Sequence, residues 1–311
     1  MADYKEIKGL YIQTVSSDPS NITAGDVWYN STLGKLRGAK QVGAWASGGN
    51  MNTARGFHGM AGQGTQTAAM GFGGTVSPKQ QTEKYDGSSW TEVGDLNTGR
   101  SAGGGCGSQT AALYGGGYVA PATDASEEFD GTNWAEGDNL QNSREGLAGA
   151  GSQTAGIIFG VSGHTEEYNG SSWAEQNNLN TSRYGTAGFG SQTAALCGGG
   201  GPPTTAATET YDGTSWTAGN NLNTARQYLI GAGTTTAGLA MGGANTLTVT
   251  EEFDGTNWAE TADLSTGRFG GVSGGTSTAT LFGGGGDGSG TDLTATEEWT
   301  KAATASNWDT T

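Results

Sequence analysis

Basic side chains are scarce in this sequence. Lys and Arg together number 14 against 30 Asp and Glu, which gives a formal net charge of −16. Nucleic-acid binding needs Lys and Arg to displace the counterions of the phosphates, and anionic membrane surfaces attract the same side chains. We therefore expect neither nucleic acid nor an anionic membrane surface among the partners.

Long apolar runs are also missing. No stretch approaches the roughly 18 apolar residues that a membrane-spanning segment needs, and the start, Met-Ala-Asp-Tyr-Lys-Glu-Ile-Lys, lacks the apolar core of a secretory signal. Hydrophobic residues make up 33% of the chain, with 59 Gly and only 5 Pro. Such a composition can indicate disorder, but the aromatic residues recur at fixed positions, which predicts folded β-structure with a thin core.

A Trp followed ten positions later by an Arg occurs six times. Successive tryptophans of these pairs lie 39 to 45 residues apart, and a period of that length indicates a repeat array. The seventh arginine, Arg37, lies outside the repeat. The pairs are Trp45/Arg55, Trp90/Arg100, Trp134/Arg144, Trp173/Arg183, Trp216/Arg226 and Trp258/Arg268.

Each copy is predicted to form four short antiparallel strands, a to d. One copy runs from Arg100 through a glycine-rich segment and Thr-Ala-Ala-Leu to Glu127-Glu-Phe-Asp-Gly and Trp134. Gly-Ser and Asp-Gly punctuate it at regular spacing, as between consecutive antiparallel strands. Strand a follows the Arg and consists of small residues, so innermost strands could converge around an axis. Strand d carries the Trp.

Cysteine and histidine number two each. Cys106 and Cys197 stand where other copies have mostly small or apolar residues, which predicts buried space-fillers and not a disulfide. His58 and His164 fall in different copies, so neither a catalytic triad nor a metal site is expected from them. We expect no metal and no cofactor.

The connection from strand c to strand d contains Asp-Gly or Asn-Gly. These dipeptides predict two-residue type I′ turns, which need positive φ at both central positions. A calcium site is the alternative, but one carboxylate per turn falls short of the ligand number that calcium takes. The dipeptides begin at Asp86, Asp130, Asn169, Asp212 and Asp254.

The repeat resembles the kelch repeat of β-propellers. The resemblance rests on Leu-Asn-Thr-Ala/Gly-Arg, a strand ending in Gly-Gly, then Glu-x-Tyr-Asp-Gly and Trp, over about residues 41 to 300. It implies an all-β, six-bladed kelch-like β-propeller of four-stranded antiparallel blades. It also implies that the repeated Arg and Trp are structural. The last copy departs from the pattern, with Trp299-Thr300-Lys301 in place of Tyr-Asp-Gly.

Counting strands predicts how the ring closes. Strands a, b and c occur six times, whereas candidates for strand d occur seven times, because Trp45 precedes the first Arg and Trp308 follows the last strand c. We expect an N-terminal strand over 41–46 to complete the last blade, with the Trp308 segment as the alternative. The expected domains are an attachment segment 1–40, a propeller 41–300 and a C-terminal tail 301–311.

Residues 1–40 do not belong to the repeat. They read as a strand followed by a hairpin, too small to fold alone. Gly-Asp-Val-Trp-Tyr-Asn-Ser-Thr-x-Gly-Lys-Leu resembles the head of virion proteins from tailed bacteriophages, and the repeat wording resembles kelch-like proteins of marine phages. The resemblance implies a small β attachment segment whose candidate contact residues are Trp28, Tyr29, Lys35 and Arg37.

Sequence variation concentrates in the connections between strands b and c. Four of the five prolines lie there, and loops on a rigid scaffold are the usual place for recognition. Divergence without any function is the alternative. The candidate binding residues are Pro78, Lys79, Tyr118, Pro121, His164, Pro202, Pro203, Asn245 and Asp287.

These features lead us to expect a non-enzymatic virion protein, a tail fibre or adhesin component that binds a host-surface glycan or protein. The expected partners are other virion proteins through residues 1–40, the host receptor, and further copies of the chain. Two alternatives stay open, a capsid decoration protein and a carbohydrate-active propeller enzyme that uses paired carboxylates.

Overall fold

The repeats fold into antiparallel sheets. The computed structural model describes residues 12–56, 59–60, 64–77 and 79–307, with the backbone alone at 59–60. These residues form two compact units. One is Trp45–Thr300, and the other comprises the described residues of Met1–Ala44 and Lys301–Thr311.

Five four-stranded sheets, blades 1 to 5, contain strands that neighbour each other in chain order. Blade 1 contains β4 (Gly59–Met60), β5 (Met70–Phe72), β6 (Thr82–Tyr85) and β7 (Trp90–Glu92). Blade 2 contains β8 (Gly104–Ser108), β9 (Ala111–Gly115), β10 (Ser126–Phe129) and β11 (Trp134–Glu136). Blade 3 contains β12 (Ala148–Ser152), β13 (Ala155–Phe159), β14 (Thr165–Tyr168) and β15 (Trp173–Glu175).

Blades 4 and 5 repeat the same arrangement. Blade 4 contains β16 (Ala187–Ser191), β17 (Ala194–Gly198), β18 (Thr208–Tyr211) and β19 (Trp216–Ala218). Blade 5 contains β20 (Ile230–Thr234), β21 (Ala237–Met241), β22 (Thr250–Phe253) and β23 (Trp258–Glu260).

Blade 6 contains β24 (Val272–Gly275), β25 (Ala279–Gly283) and β26 (Thr296–Asn307), and β3 (Lys35–Ser47) lies beside β26 in the sheet. The first strands of successive blades contact one another, and β24 contacts β4. The ring is therefore closed, and the expected six-bladed β-propeller is confirmed.

The outer strand of blade 6 comes from before the first repeat. β3 carries Trp45, whose ring centroid lies 5.5 Å from that of Trp299. The strand starts at Lys35 and not near residue 41, and β26 extends to Asn307. The expected C-terminal tail is therefore strand as far as Asn307. Trp308, the alternative closing residue, lies outside the described residues.

The smaller unit is built on two further strands. β1 (Gln13–Val15) pairs in parallel with β2 (Val27–Asn30), and β2 pairs antiparallel with β3. The Asp18 carboxylate accepts hydrogen bonds from Trp28 Nε1 at 2.9 Å, Asn30 Nδ2 at 2.9 Å and Arg37 Nη2 at 2.7 Å. These hydrogen bonds, led by that of Asn30, lower the pKa of Asp18.

Each repeated Arg forms an ion pair with the first Glu of the third strand of the blade that follows it. Every one of these side chains is at most 4% exposed. An isolated buried charge would be strongly unfavourable, and each pair removes that cost for both partners. The pairs are Arg55–Glu83, Arg100–Glu127, Arg144–Glu166, Arg183–Glu209, Arg226–Glu251 and Arg268–Glu297.

Backbone groups complete each ion pair, as blade 2 illustrates. Arg100 Nη1 lies 2.7 Å from Glu127 Oε1, and Arg100 Nη2 donates to the Tyr114 carbonyl at 3.2 Å. The Glu127 carboxylate also accepts the amides of Asn97 at 2.7 Å and Thr98 at 3.3 Å. The chain segment that enters each blade is thus fixed to that blade's third strand. We call this arrangement the Arg–Glu clasp.

The repeated Trp connects its own blade to the preceding one. Trp134 of blade 2 donates from Nε1 to Thr82 Oγ1 of blade 1 at 3.0 Å, and its ring centroid lies 4.8 Å from that of Phe72. Trp90 and Trp216 make equivalent bonds to Thr296 and Thr165. The Trp contacts the preceding blade, and the Arg pairs with a Glu of the following blade. Each Trp-to-Arg segment therefore connects three successive blades.

The Gln of the first turn in each of four blades makes a second connection. Gln109 Nε2 of blade 2 donates to the carbonyls of Ala69 and Tyr85 in blade 1, at 2.7 and 2.6 Å. The side-chain amide thereby satisfies carbonyls at the end of the neighbouring sheet. Gln66, Gln153 and Gln192 act in the same way.

The aromatic residue that ends the third strand makes a third connection, and its partner changes with it. Tyr211 of blade 4 donates its hydroxyl to Glu167 of blade 3 at 3.0 Å. Where blade 2 has Phe129, which has no hydroxyl, blade 1 has Lys84 in place of the Glu, with Nζ 4.8 Å from the ring centroid. The aromatic position of one blade and the partner position of the preceding blade therefore change together from one blade boundary to another.

The boundary between blades 4 and 5 relies on apolar packing. Thr235 stands at the Gln position, Phe253 and Thr210 occupy the positions of the Tyr and Glu of other boundaries, and Trp258 Nε1 has no hydrogen-bond partner in the described part of the chain. The buried cluster there contains Phe189, Leu196, Leu222, Leu229, Phe253 and Trp258.

The turns between third and fourth strands are not the predicted two-residue type I′ turns. Tyr85 pairs with Trp90, so the loop has four residues, 86–89. Gly87 has φ +94°, whereas Asp86 does not adopt a positive φ. Asp86 Oδ1 instead accepts the amides of residues 88 and 89, both at 2.8 Å. The prediction is wrong because this Asx turn uses the same dipeptide with Asp in an ordinary conformation.

The unpartnered Trp258 indole predicts a difference between two matched variants. Trp216→Phe removes ring area and the bond to Thr165 Oγ1, whereas Trp258→Phe removes similar area and no hydrogen bond. We expect Trp216→Phe to lower the free energy of unfolding by about 1 kcal/mol more than Trp258→Phe. Urea unfolding of both variants measures this difference, and equal losses would contradict the inferred hydrogen-bond contribution.

The loop aspartates predict a contribution to acid sensitivity. Hydrogen bonds from Ser89 and Ser88 lower the pKa of Asp86 to about 2. A lowered folded-state pKa gives stabilisation that is present above the ordinary value of 3.8 and is lost as the pH falls toward 2. In the blade 3 loop, Asn169 Oδ1 accepts the equivalent amides of Ser171 and Ser172. The corresponding pKa values are also lowered at Asp130, Asp212 and Asp254.

Replacing these four aspartates by Asn keeps the turn bonds and removes the titrating groups. We expect the melting temperature of the variant to fall less than that of the wild type as the pH decreases from about 4 to about 2. Circular dichroism melts over this pH range provide the measurement. An unchanged acid dependence would show that the loop carboxylates do not contribute.

Candidate functional site

Two sets of connections emerge at the same end of the propeller. The loops between second and third strands are hydrogen-bonded to the residues that follow the repeated Arg. Tyr118 N donates to Ser101 O at 2.7 Å, and Gly286 N donates to Phe269 O at 2.8 Å. We call the end formed by these loops and by the residues after each Arg the variable face.

A cavity of about 430 Å³ opens at the centre of the variable face. Residues of blades 2 to 5 line it. Each of them either closely follows a repeated Arg in the sequence or lies in the loop between the second and third strands of blade 3. Two aromatic rings line it, those of Tyr184 and Tyr228, whose centroids lie 5.9 Å apart. Phe269, outside the lining, packs against Tyr228 with a centroid distance of 6.1 Å. The lining residues are Ala102, Glu145, Gly146, Val161, Tyr184 and Tyr228.

Tyr228 reaches the cavity through an unusual backbone conformation. It has φ +57°, at a repeat position that is occupied by Gly146, Gly185 and Gly270 in other blades, all with positive φ. A Cβ at Gly185 would lie 2.7 Å from Tyr228 Cδ1, so that glycine also allows the ring to approach. A bulky residue at positive φ is an outlier that is typical of functional positions.

Among the described residues, the lining of the cavity contains one carboxylate, Glu145, and no Lys or Arg. Glu145 is exposed and has no ion-pair partner among the described residues. The six repeated arginines are held in the buried clasps. Burial and a hydrogen bond with Tyr184, with a contribution from Glu145, raise the pKa of Tyr228 to about 12. The tyrosine is therefore an uncharged phenol at neutral pH.

The loop residues selected from the sequence lie in separate loops of the variable face. Tyr118 is 41% exposed, and the Asp287 carboxylate accepts the amides of Ser289 and Thr291. None of the described candidates lines the central cavity. They are Lys79, Tyr118, Pro121, His164, Pro202, Pro203, Asn245 and Asp287, whereas Pro78 lies outside the described residues.

His164 lines a neighbouring cavity of about 280 Å³ that also contacts Glu145 and Val161. Its Nδ1 lies 3.5 Å from Glu175 Oε1, and its backbone carbonyl accepts a hydrogen bond from Arg144 Nη1 at 2.7 Å. His164 therefore lies beside the central cavity and is held there by the clasp of blade 3.

The four attachment candidates divide into two pairs. Trp28 is 2% exposed, and Arg37 bonds Asp18 and Asn307, the latter at 2.6 Å. Both side chains are used within the smaller unit and are not presented to a partner. Tyr29 is 38% exposed and Lys35 is also exposed, so the accessible candidates are these two.

The residues of the central cavity were missed by reasoning from the sequence. The first position after each repeated Arg varies between copies, whereas the Arg itself does not. This contrast was the feature of the sequence that could have indicated the cavity. Because the segment was assigned to a strand of small residues, its variation was not interpreted. The residues at that position are Gly56, Ser101, Glu145, Tyr184, Gln227 and Phe269.

In the described part of the chain, no group of three or more His, Cys, Asp or Glu side chains is arranged to hold a metal ion. No helix among the described residues has the length and apolar character needed to cross a membrane.

No family model matches the chain, and no curated protein matches its sequence. Among solved structures, 542 chains match, so the fold by itself does not discriminate between functions. One of them, described as "Structure of YjhT", matches with a TM-score of 0.70 and 12% sequence identity, over 83% of this chain and 99% of that chain. At this identity the similarity shows the β-propeller fold alone.

Proposed function

We propose that the chain is a non-enzymatic binding protein of a tailed bacteriophage particle, a tail fibre or adhesin component. Its propeller binds a host-surface glycan or protein through the variable face. The observation that carries the proposal is that the repeats use different residues for packing and for lining the cavity. The repeated Arg, Glu and Trp are used in packing, whereas the first or second residue after the Arg in blades 2 to 5 varies and lines a central cavity.

The cavity chemistry supports binding over hydrolysis. Glycoside hydrolysis by the usual mechanism needs two carboxyl groups on either side of the scissile bond. The lining of the central cavity contains one carboxylate, Glu145, together with two tyrosines and small or apolar residues. Such a mixture of aromatic rings and few polar groups is typical of a ligand pocket.

The phage assignment rests on residues 1–40 and on their resemblance to virion attachment segments. The smaller unit supports it by presenting apolar side chains that a particle protein could cover. Among the described residues of this unit, Ile12, Tyr29, Leu33 and Val42 are 51, 38, 53 and 39% exposed. We propose that the repeat belongs to the kelch family, because its sequence motif resembles the kelch repeat.

Host-cell binding tests the role of the variable face. Fluorescently labelled protein is expected to bind host cells, and Tyr228→Gly is expected to reduce that binding by about tenfold, because an aromatic anchor in a pocket is typically worth more than 1 kcal/mol. Glycine already occupies the equivalent position in three blades, so the backbone tolerates it. Flow cytometry of wild type and variant gives the readout.

Glu136→Gln, an exposed substitution on the edge strand β11 that does not line the central cavity, is the matched control and should bind as wild type. Equal binding by Tyr228→Gly would exclude the central cavity as the contact. Imaging of intact particles with an antibody to the propeller separates the alternatives: label at the tail supports an adhesin, and label over the head supports capsid decoration. Absence of the chain from particles would refute the virion proposal.

A further inference from the structure

We propose that the central cavity lined by Glu145, Tyr184 and Tyr228 binds an organic cation, an ammonium group carried by the surface ligand. This inference rests on the proposed function, since it names the chemistry recognised by the variable face. The cavity volume of about 430 Å³ lies in the range of small-ligand pockets.

Aromatic faces supply the first part of the recognition. Tyr184, Tyr228 and Phe269 follow one another at centroid distances of 5.9 and 6.1 Å, with interplanar angles of 48° and 45°. Two of these rings, Tyr184 and Tyr228, line the central cavity, and Phe269 packs against Tyr228 from the next blade. Cations are attracted to the faces of aromatic rings, and quaternary ammonium ligands are bound by aromatic cages.

A carboxylate supplies the second part. Glu145 lines the same cavity as the two tyrosines and has no ion-pair partner among the described residues. Its charge adds to that of the ring faces, and the phenol of Tyr228 stays protonated at neutral pH. The net charge of −16 adds a long-range attraction for cations.

The distribution of basic groups disfavours an anionic ligand. Among the described residues, no Lys or Arg lines the central cavity, and Arg144, which precedes Glu145, is buried against Glu166. Among the candidate loop residues, Lys79 lies in blade 1, none of whose described residues lines the cavity, and His164 lies beside Glu175. A phosphate, sulfate or uronate would meet Glu145 with no compensating charge.

A pair of isosteric probes separates charge from shape. Choline and 3,3-dimethylbutan-1-ol share size and form, but only choline is charged. We expect choline to bind at least about tenfold more tightly, because cation–π contacts and the Glu145 carboxylate both favour the charged probe. Isothermal titration calorimetry, or tyrosine ring shifts in NMR, measures both affinities.

A second pair distinguishes the source of the cation. Glucosamine and glucose differ in one ammonium group, and glucosamine is expected to bind more tightly if the ligand is an amino sugar. Preference for choline over glucosamine would indicate a quaternary ammonium ligand instead. Equal affinities within both pairs would overturn the cation proposal and leave a neutral ligand.

Variants assign the binding to the cavity. Glu145→Gln should weaken choline binding about threefold to tenfold, and Tyr228→Gly should weaken it at least as much, while Glu136→Gln should leave it unchanged. Raising the salt concentration should reduce the difference between Glu145→Gln and wild type, since screening weakens exposed charges. Unchanged choline affinity in both cavity variants would refute the site.

The outcomes separate this inference from the proposed function. If the isosteres bind equally while labelled protein still binds host cells through Tyr228, the cation is wrong and the binding face stands. If choline binds at Glu145 and Tyr228 while host cells are not bound, the site stands and the host-surface function is wrong.

Discussion

The propeller depends on one interaction repeated six times, the buried pair between Arg and the first Glu of the third strand. Neither charge could be buried alone, because removing one partner of a buried pair typically costs about 3–5 kcal/mol. Burial lowers the pKa of Arg226, while Glu251 opposes that shift. Each clasp fixes the entry of the chain into a blade, and clusters of buried aromatic and aliphatic side chains pack the neighbouring sheets against one another.

Between blades the connections are side-chain hydrogen bonds that vary in a coordinated way. The Tyr–Glu contact of blades 3 and 4 becomes Phe129 with Lys84 between blades 1 and 2, and at blades 4 and 5 apolar packing around Phe189 replaces it. The blade interfaces can therefore diverge while the clasp does not. This freedom lets the residues after each Arg acquire aromatic and acidic side chains at the centre of the variable face.

The sequence was sufficient to predict the blade number and the all-β class, because the Trp and Arg recur at a fixed period. It was not sufficient to pair Arg with Glu, since the partners lie 22 to 29 residues apart and four of the six strands contain two adjacent glutamates. The Asp86 loop was misjudged because a type I′ turn and an Asx turn use the same dipeptide. Tyr228 was missed because its cavity forms only when four blades converge.

A double-mutant cycle on Arg183 and Glu209 tests the dependence on the clasp most directly. Both side chains are at most 4% exposed, and Nη2 lies 2.8 Å from Oε1. The account predicts that Arg183→Met and Glu209→Gln each lower the free energy of unfolding by about 3–5 kcal/mol, and that the double variant loses at least about 2 kcal/mol less than their sum. Single losses below about 1 kcal/mol with additive effects, as for an exposed ion pair, would contradict it.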